Sequence, residues 1–166
     1  MNAKSFNFDP EALGRKYQEE RDKRVRVDGN DQYQEVTGEF AYFVEDPYIN
    51  SELKREAIEE EVEVVIIGGG FGGMLAAARL REAGINDFRI IEKGGDFGGT
   101  WYWNRYPGAS CDIESYVYFP LLENTGFVPK QKYTNAPETL EYCHVIAKKY
   151  ALHDGALLQT LVTSTD

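Results

Sequence analysis

Cysteine and histidine are scarce in this chain, with two of each in 166 residues. Cys111 and Cys143 have no CxxC or metal-ligand spacing, so both read as reduced thiols and no disulfide framework is expected. His144 and His153 stand apart from clustered cysteines or paired acids, so no metal site is expected. Positive charge is also in deficit: 18 Lys and Arg face 28 Asp and Glu, a net charge of -10 that repels nucleic acid and anionic membrane. Neither is expected as a partner. Long hydrophobic runs are missing too. The longest purely aliphatic run, Val64 to Ile67, falls far short of the roughly 20 residues that a membrane helix needs. The opening MNAKSFNFDP has no apolar signal segment, which points to a cytoplasmic protein.

What is present suits a globular chain of one ordinary domain, with an apolar fraction of 42% to build a core. Residues 1–60 read as an amino-terminal extension. Asp9 can cap a helix that has Pro10 at its first position and Leu13 and Tyr17 one turn apart. A turn-like DGND follows at Asp28 to Asp31, then the aromatic EFAYFVEDPY, then the charged SELKREAIEEE, which reads as a linker or a short solvated helix. No internal repeat is visible.

Residues 61–166 carry the chemistry. VEVVII, Val62 to Ile67, has the β-branched composition of a strand buried on both faces, and it runs into GGGFGG. MLAAARLREAG then reads as a helix stopped by Gly84, and FRIIEK, Phe88 to Lys93, as a second strand with an acid at its end. This is a dinucleotide-binding βαβ unit. Gly68 permits the tight turn, Gly70 lets backbone N–H groups approach a pyrophosphate, and Gly73 lets helix and strand pack closely. The phosphates belong at the positive end of the helix. Glu92 lies at the spacing, about 20 residues, at which this fold sets a carboxylate against a ribose diol. FAD or a nicotinamide dinucleotide would satisfy the unit equally.

The stretch GGTWYWNRYPGASCD, Gly98 to Asp112, favours FAD. A second glycine pair, Gly98 and Gly99, is followed by Thr100, Trp101, Tyr102 and Trp103, which suits a segment running along an extended cofactor. A single aromatic would be ordinary cover for the sheet. This density, interleaved with Asn104, Arg105 and Pro107, reads as a cofactor wall. A helix is expected from about Pro137 to Ala151, and a strand over LLQTLVT, Leu157 to Thr163.

GGGFGG followed by EKGGDFGGTWYWNRYPGASCDIESYVY resembles the amino-terminal FAD-binding part of the flavin-dependent Baeyer-Villiger monooxygenases, from Val62 to Tyr118 nearly unbroken. The resemblance implies an α/β fold: a Rossmann-like FAD-binding βαβ three-layer domain, incomplete here, with an amino-terminal helical arm. It implies that Gly68, Gly70 and Gly73 hold the FAD pyrophosphate and Glu92 the adenosine ribose. Gly99, Thr100, Trp101, Tyr102, Trp103 and Tyr118 would line the cofactor. Ser110, Cys111 and Asp112 would touch flavin and NADPH, and Ser110 stands where many members have a basic or amide residue. Asp112 would be catalytic, pairing with an active-site arginine. The implied activity turns a ketone into an ester or lactone through a flavin C4a-peroxide.

The family's second glycine fingerprint, its F-x-G-x-x-x-H-T-x-x-W signature and its arginine segment are not found here. Arg105 belongs to the aromatic loop and is no substitute for that arginine. Catalysis by this chain alone is therefore not expected. It reads as the FAD-binding part of such an enzyme, with a ketone substrate only once a further segment or partner completes it. The alternative is a non-catalytic remnant or protein-interaction module. Cys111, His144 and Tyr150 read as packing or surface groups.

Overall fold

A computed structural model describes residues 8–51 and 53–165. They form two compact units, Met1–Glu45 and Asp46–Asp166. The first holds helix α1, Pro10–Asp22. Asp9 starts it by accepting hydrogen bonds from the N–H groups of Glu11 and Ala12, with Pro10 in the first turn as expected. No residue of α1 is buried, and Glu20 pairs with Lys23 and Arg24 along its surface. The DGND and aromatic stretches become single-turn and two-turn 3-10 segments, Gly29–Gln32 and Gly38–Val44. Residues 53–61 are not helical, so the helical alternative for SELKREAIEEE does not hold over its described part, and Leu53, Arg55 and Glu60 bond to Gln159, Thr160 and Arg89 of the second unit.

In the second unit three parallel strands run side by side: β1, Val64–Ile67; β2, Phe88–Ile91; and β3, Ala156–Leu157. β1 pairs with β2 in the register Val64 to Phe88, and helix α2, Phe71–Glu82, connects them. Parallel pairing needs such a crossover. Gly73 lies where α2 passes over the end of β1. A Cβ there would sit 1.9 Å from the Gly68 carbonyl oxygen, so a side chain at this position would push helix from strand.

The alternation of the strands is decisive. On one face Phe88 and Ile90 are 1% and 0% exposed, under Met74, Ala77 and Ala78 of α2. Burying each large side chain stabilises the unit by about 1.5–3 kcal/mol. On the other face Val65 and Ile67 remain 53% and 59% exposed. β1 was expected to be covered on both sides. Within the described residues of the second unit α2 and α6 pack on one face, and the other face is a shallow cleft of about 530 Å³ whose lining includes Ile58, Val62, Val65, Ile91 and Leu157. This is where the three-layer arrangement is incomplete.

Short helices follow: α3, Thr100–Trp103; α4, Ser115–Tyr118; and α5, Leu122–Thr125. Helix α6, Ala136–Lys149, is close to the expected span. Asn135 caps it by accepting from the Glu138 N–H, and Lys148 and Lys149 sit in its negative last turn. Its inward side, Tyr142, Cys143, Ile146 and Ala147, closes the core, with the Tyr142 ring stacked on Phe119 at 4.8 Å. The strand expected over residues 157–163 stops at Leu157. Gln159 turns with φ of 50°, and its N–H and that of Thr160 bond instead to the carbonyls of Gly94 and Glu92. Among the described residues no helix is long and apolar enough to cross a membrane.

Candidate functional site

The site grows from the end of β1. Gly70 opens α2 and no side chain caps the first turn, so the helix presents backbone N–H groups without intrahelical partners. The Gly98 N–H donates to the Gly69 carbonyl at 3.0 Å, which brings the second glycine pair against the first. Gly99 has φ of 53°, and a Cβ on it would stand 2.8 Å from the Gly70 Cα. Only glycine allows this approach. Open space remains at Gly68 and Gly72, where a Cβ would meet nothing within 4 Å.

Glu92 lies at the carboxyl end of β2 and is buried. Its Oε2 accepts from the Gly69 N–H at 2.5 Å and its Oε1 from the Gly94 N–H at 2.6 Å. The carboxylate thus ties both glycine turns to the strand. Each oxygen keeps a further lone pair for a diol.

Within Gly98 to Asp112, Thr100 to Trp103 form one helical turn, α3. That turn splits its aromatics. Trp101 donates from Nε1 to the Tyr118 hydroxyl at 3.1 Å, and Tyr118 lies edge-on to Phe71 at the start of α2. Burial pushes the Tyr118 phenol above its usual range, against the opposing effect of the Trp101 bond. Thr100, Trp101, Ser110, Cys111, Asp112 and Tyr118 line one cleft of about 420 Å³. Tyr102 turns away: its hydroxyl donates to Asp46 Oδ2 at 2.6 Å, and it titrates at about 12 because of burial first and the Asp46 carboxylate second. The Trp103 ring takes the Lys93 ammonium at 5.5 Å.

Residues 109–115 are fastened to the lead-in of α6. The Cys111 N–H donates to the Thr134 carbonyl at 2.8 Å, the Ala136 N–H to the Ala109 carbonyl at 2.8 Å, and Ser110 pairs with Asn135 in an antiparallel bridge. Burial pushes the Cys111 thiol up, and Cys143, fully enclosed, is pushed up to about 12. Asp112 is exposed at the cleft mouth, with no hydrogen-bond partner among the described residues.

Two groupings escaped sequence reasoning. His144 and His153 both approach Asp96, at 3.4 and 2.9 Å. Asp46 and Tyr48, expected to belong to the extension, contact the aromatic loop. Both pairings join residues about 50 apart, which no local pattern signals. Among the described residues no cluster of His, Cys, Asp and Glu could hold a metal ion.

A parallel βαβ unit with a glycine turn, a buried acid at the second strand end and an aromatic-walled cleft defines a dinucleotide-binding Rossmann-like protein. The family described as an NAD(P)-binding Rossmann-like domain matches residues 66–126. Neopentalenolactone D synthase of Streptomyces avermitilis is 53% identical over 156 residues, 93% of this chain and 26% of that protein. A Baeyer-Villiger monooxygenase of Streptomyces coelicolor is 48% identical over 158 residues, again 93% of this chain and 26% of that one. In structure, the polycyclic ketone monooxygenase of Thermothelomyces thermophila superposes with a TM-score of 0.74 at 41% identity, covering 90% of this chain and 25% of that one. OTEMO in complex with FAD and NADP gives 0.59 at 33% identity, covering 64% and 21%. The chain belongs to the Baeyer-Villiger monooxygenase family, and it spans about a quarter of the length of the curated relatives it matches.

Proposed function

We propose that this chain is the FAD-binding part of an NADPH-dependent Baeyer-Villiger monooxygenase. The observation that carries the reading is the joining of the two glycine turns beside the cleft that collects Thr100, Trp101, Ser110, Cys111, Asp112 and Tyr118. The residues fit the cofactor. The uncapped start of α2 and the open space at Gly68 and Gly72 suit a pyrophosphate, with Gly70 and Gly73 holding the turn to the helix. Glu92 would take the ribose diol. Bound there, FAD would supply the redox chemistry between NADPH and oxygen.

The chain's own residues bind and shield. Thr100, Trp101 and Tyr118 line the cleft, and the two rings would exclude water from it, with Gly99, Tyr102 and Trp103 their neighbours in the same loop. Ser110 and Cys111 set the floor and would meet both cofactors. Asp112, an exposed carboxylate at the mouth, would pair with and orient a cation supplied by another segment. A lone carboxylate there would repel a developing anion, so a fixed positive charge is required. Conversion of a ketone to an ester or lactone belongs to the larger assembly in which this chain takes part. Two unpaired thiols suit the cytoplasm. A second reading, a non-catalytic module that binds another protein, is favoured by the exposed Val65 and Ile67 face.

The test is the visible absorption of the purified chain after mixing with FAD and gel filtration to remove free cofactor. Retained, shifted flavin bands are expected. A colourless protein that is folded by circular dichroism would overturn FAD binding by this chain and favour the second reading.

A further inference from the structure

Asp46 and Tyr48 lie against the aromatic loop. Asp46 Oδ2 receives two donors, the Tyr102 hydroxyl at 2.6 Å and the Gly95 N–H at 2.9 Å, and the Gly95 N–H also lies 3.0 Å from that hydroxyl. The other oxygen, Oδ1, accepts from the Tyr48 N–H at 2.9 Å, closing a turn around Pro47. That turn lays the Tyr48 ring on the Arg105 guanidinium at 3.8 Å and edge-on to Tyr102 at 5.7 Å, with its hydroxyl 3.3 Å from the Trp103 carbonyl. Arg105 is held in turn by donating from Nε to the Tyr102 carbonyl at 2.8 Å. Further on, the Leu53 N–H reaches Gln159 and Arg55 reaches Thr160.

One carboxylate therefore grips both ends of the loop, Gly95 before the second glycine pair and Tyr102 after it. α3 is a single turn and too short to hold its own shape. Gly98 and Gly99, immediately before it, add freedom that something else must remove. We propose that Asp46, aided by Tyr48, is a positioning residue that holds the Gly94–Arg105 loop so that Gly99, Thr100 and Trp101 present a preformed wall to the dinucleotide. This rests on the FAD-binding reading above. Its logic is preorganisation: a loop already ordered loses less freedom when ligand binds.

Two readouts on the 166-residue chain test it. Hydrogen exchange in the ligand-free protein measures the loop itself. Asp46→Ala should speed exchange of the Trp101 to Asn104 amides about tenfold, the size expected for losing a charged hydrogen-bond acceptor, and leave the β2 amides unchanged. Flavin fluorescence quenching measures FAD affinity, which should weaken about tenfold in the same variant. Asp46→Glu should recover part of both, and Glu59→Ala, on the same leader, should alter neither. Should Asp46→Ala prove unfolded by circular dichroism, Asp46→Asn, which keeps an acceptor but loses the charge, should give the same pattern at smaller size.

Unchanged loop exchange overturns the proposal. Faster exchange with unchanged FAD affinity overturns the positioning role and leaves only a structural contact. If the unaltered chain binds no FAD at all, the cofactor reading fails by itself, and the exchange result still decides whether Asp46 orders the loop.

Discussion

Gly72 and Gly73 are neighbours in the first turn of α2, yet replacing each with alanine should have opposite effects. At Gly73 the new Cβ would lie 1.9 Å from the Gly68 carbonyl oxygen and 3.3 Å from Ile66 Cγ2. Carbon and oxygen ordinarily meet no closer than about 3.3 Å, so helix and strand must separate by more than an ångström. The obstructing atom is backbone, and the Gly68 N–H is bonded to the Ile91 carbonyl at 2.8 Å, the last rung between β1 and β2. Losing that rung costs about 1 kcal/mol, and overpacking with loss of the fit of Met74 and Ala77 adds about 2–3 kcal/mol. The sum, about 3–4 kcal/mol, is a large share of the stability of such a domain. Gly72 has nothing within 4 Å of its Cβ position, and alanine there should stabilise by about 0.5 kcal/mol through its lower entropy in the unfolded chain. Thermal unfolding followed by far-ultraviolet circular dichroism should show Gly73→Ala melting some 10–15 °C lower and Gly72→Ala slightly higher. A Gly73→Ala variant within about 1 kcal/mol of the parent would refute the close approach on which the phosphate turn depends.

Glu92→Ala leaves the Gly69 and Gly94 N–H groups without their acceptor, and urea unfolding should register a loss of about 2–4 kcal/mol; an unchanged midpoint would mean that the carboxylate does not join the turns. Tyr102 is favoured in its neutral form by the fold, so its contribution is whole below pH 10, where the unfolded chain also keeps the proton, and is lost as pH rises towards about 12. Stability measured across that window should fall more steeply for the parent than for Tyr102→Phe, and parallel curves would contradict the burial of Tyr102 and its bond to Asp46 together. Both thiols are buried and held protonated, so a thiol-specific disulfide reagent should label neither Cys111 nor Cys143 rapidly in the native chain and both after denaturation. Rapid labelling of the folded protein would count against the enclosed core around α6.

The sequence by itself determined the βαβ unit. Its signals are local: β-branched runs for β1 and β2, glycines at fixed offsets and an Ala-rich helix stopped by Gly84; Asp9 before Pro10 marked the start of α1 in the same local way. Each acts through the backbone preferences of a few neighbouring residues, so it is readable without knowing what packs where. The density of aromatics in TWYWNRYPG likewise marked that loop out in the sequence. Which way each ring faces was a tertiary matter. Successive residues of a helical turn point about 100° apart, so Trp101 joins Tyr118 in the cleft while Tyr102 meets Asp46 on the far side. The same holds for Asp96 between His144 and His153, and for the sheet face on which Val65 and Ile67 stay exposed. Those outcomes depend on contacts between residues from 17 to 57 apart in the chain, whose juxtaposition is set by the packing of α2 and α6 on the sheet, and no local pattern encodes which surface of a strand or helix another segment will reach.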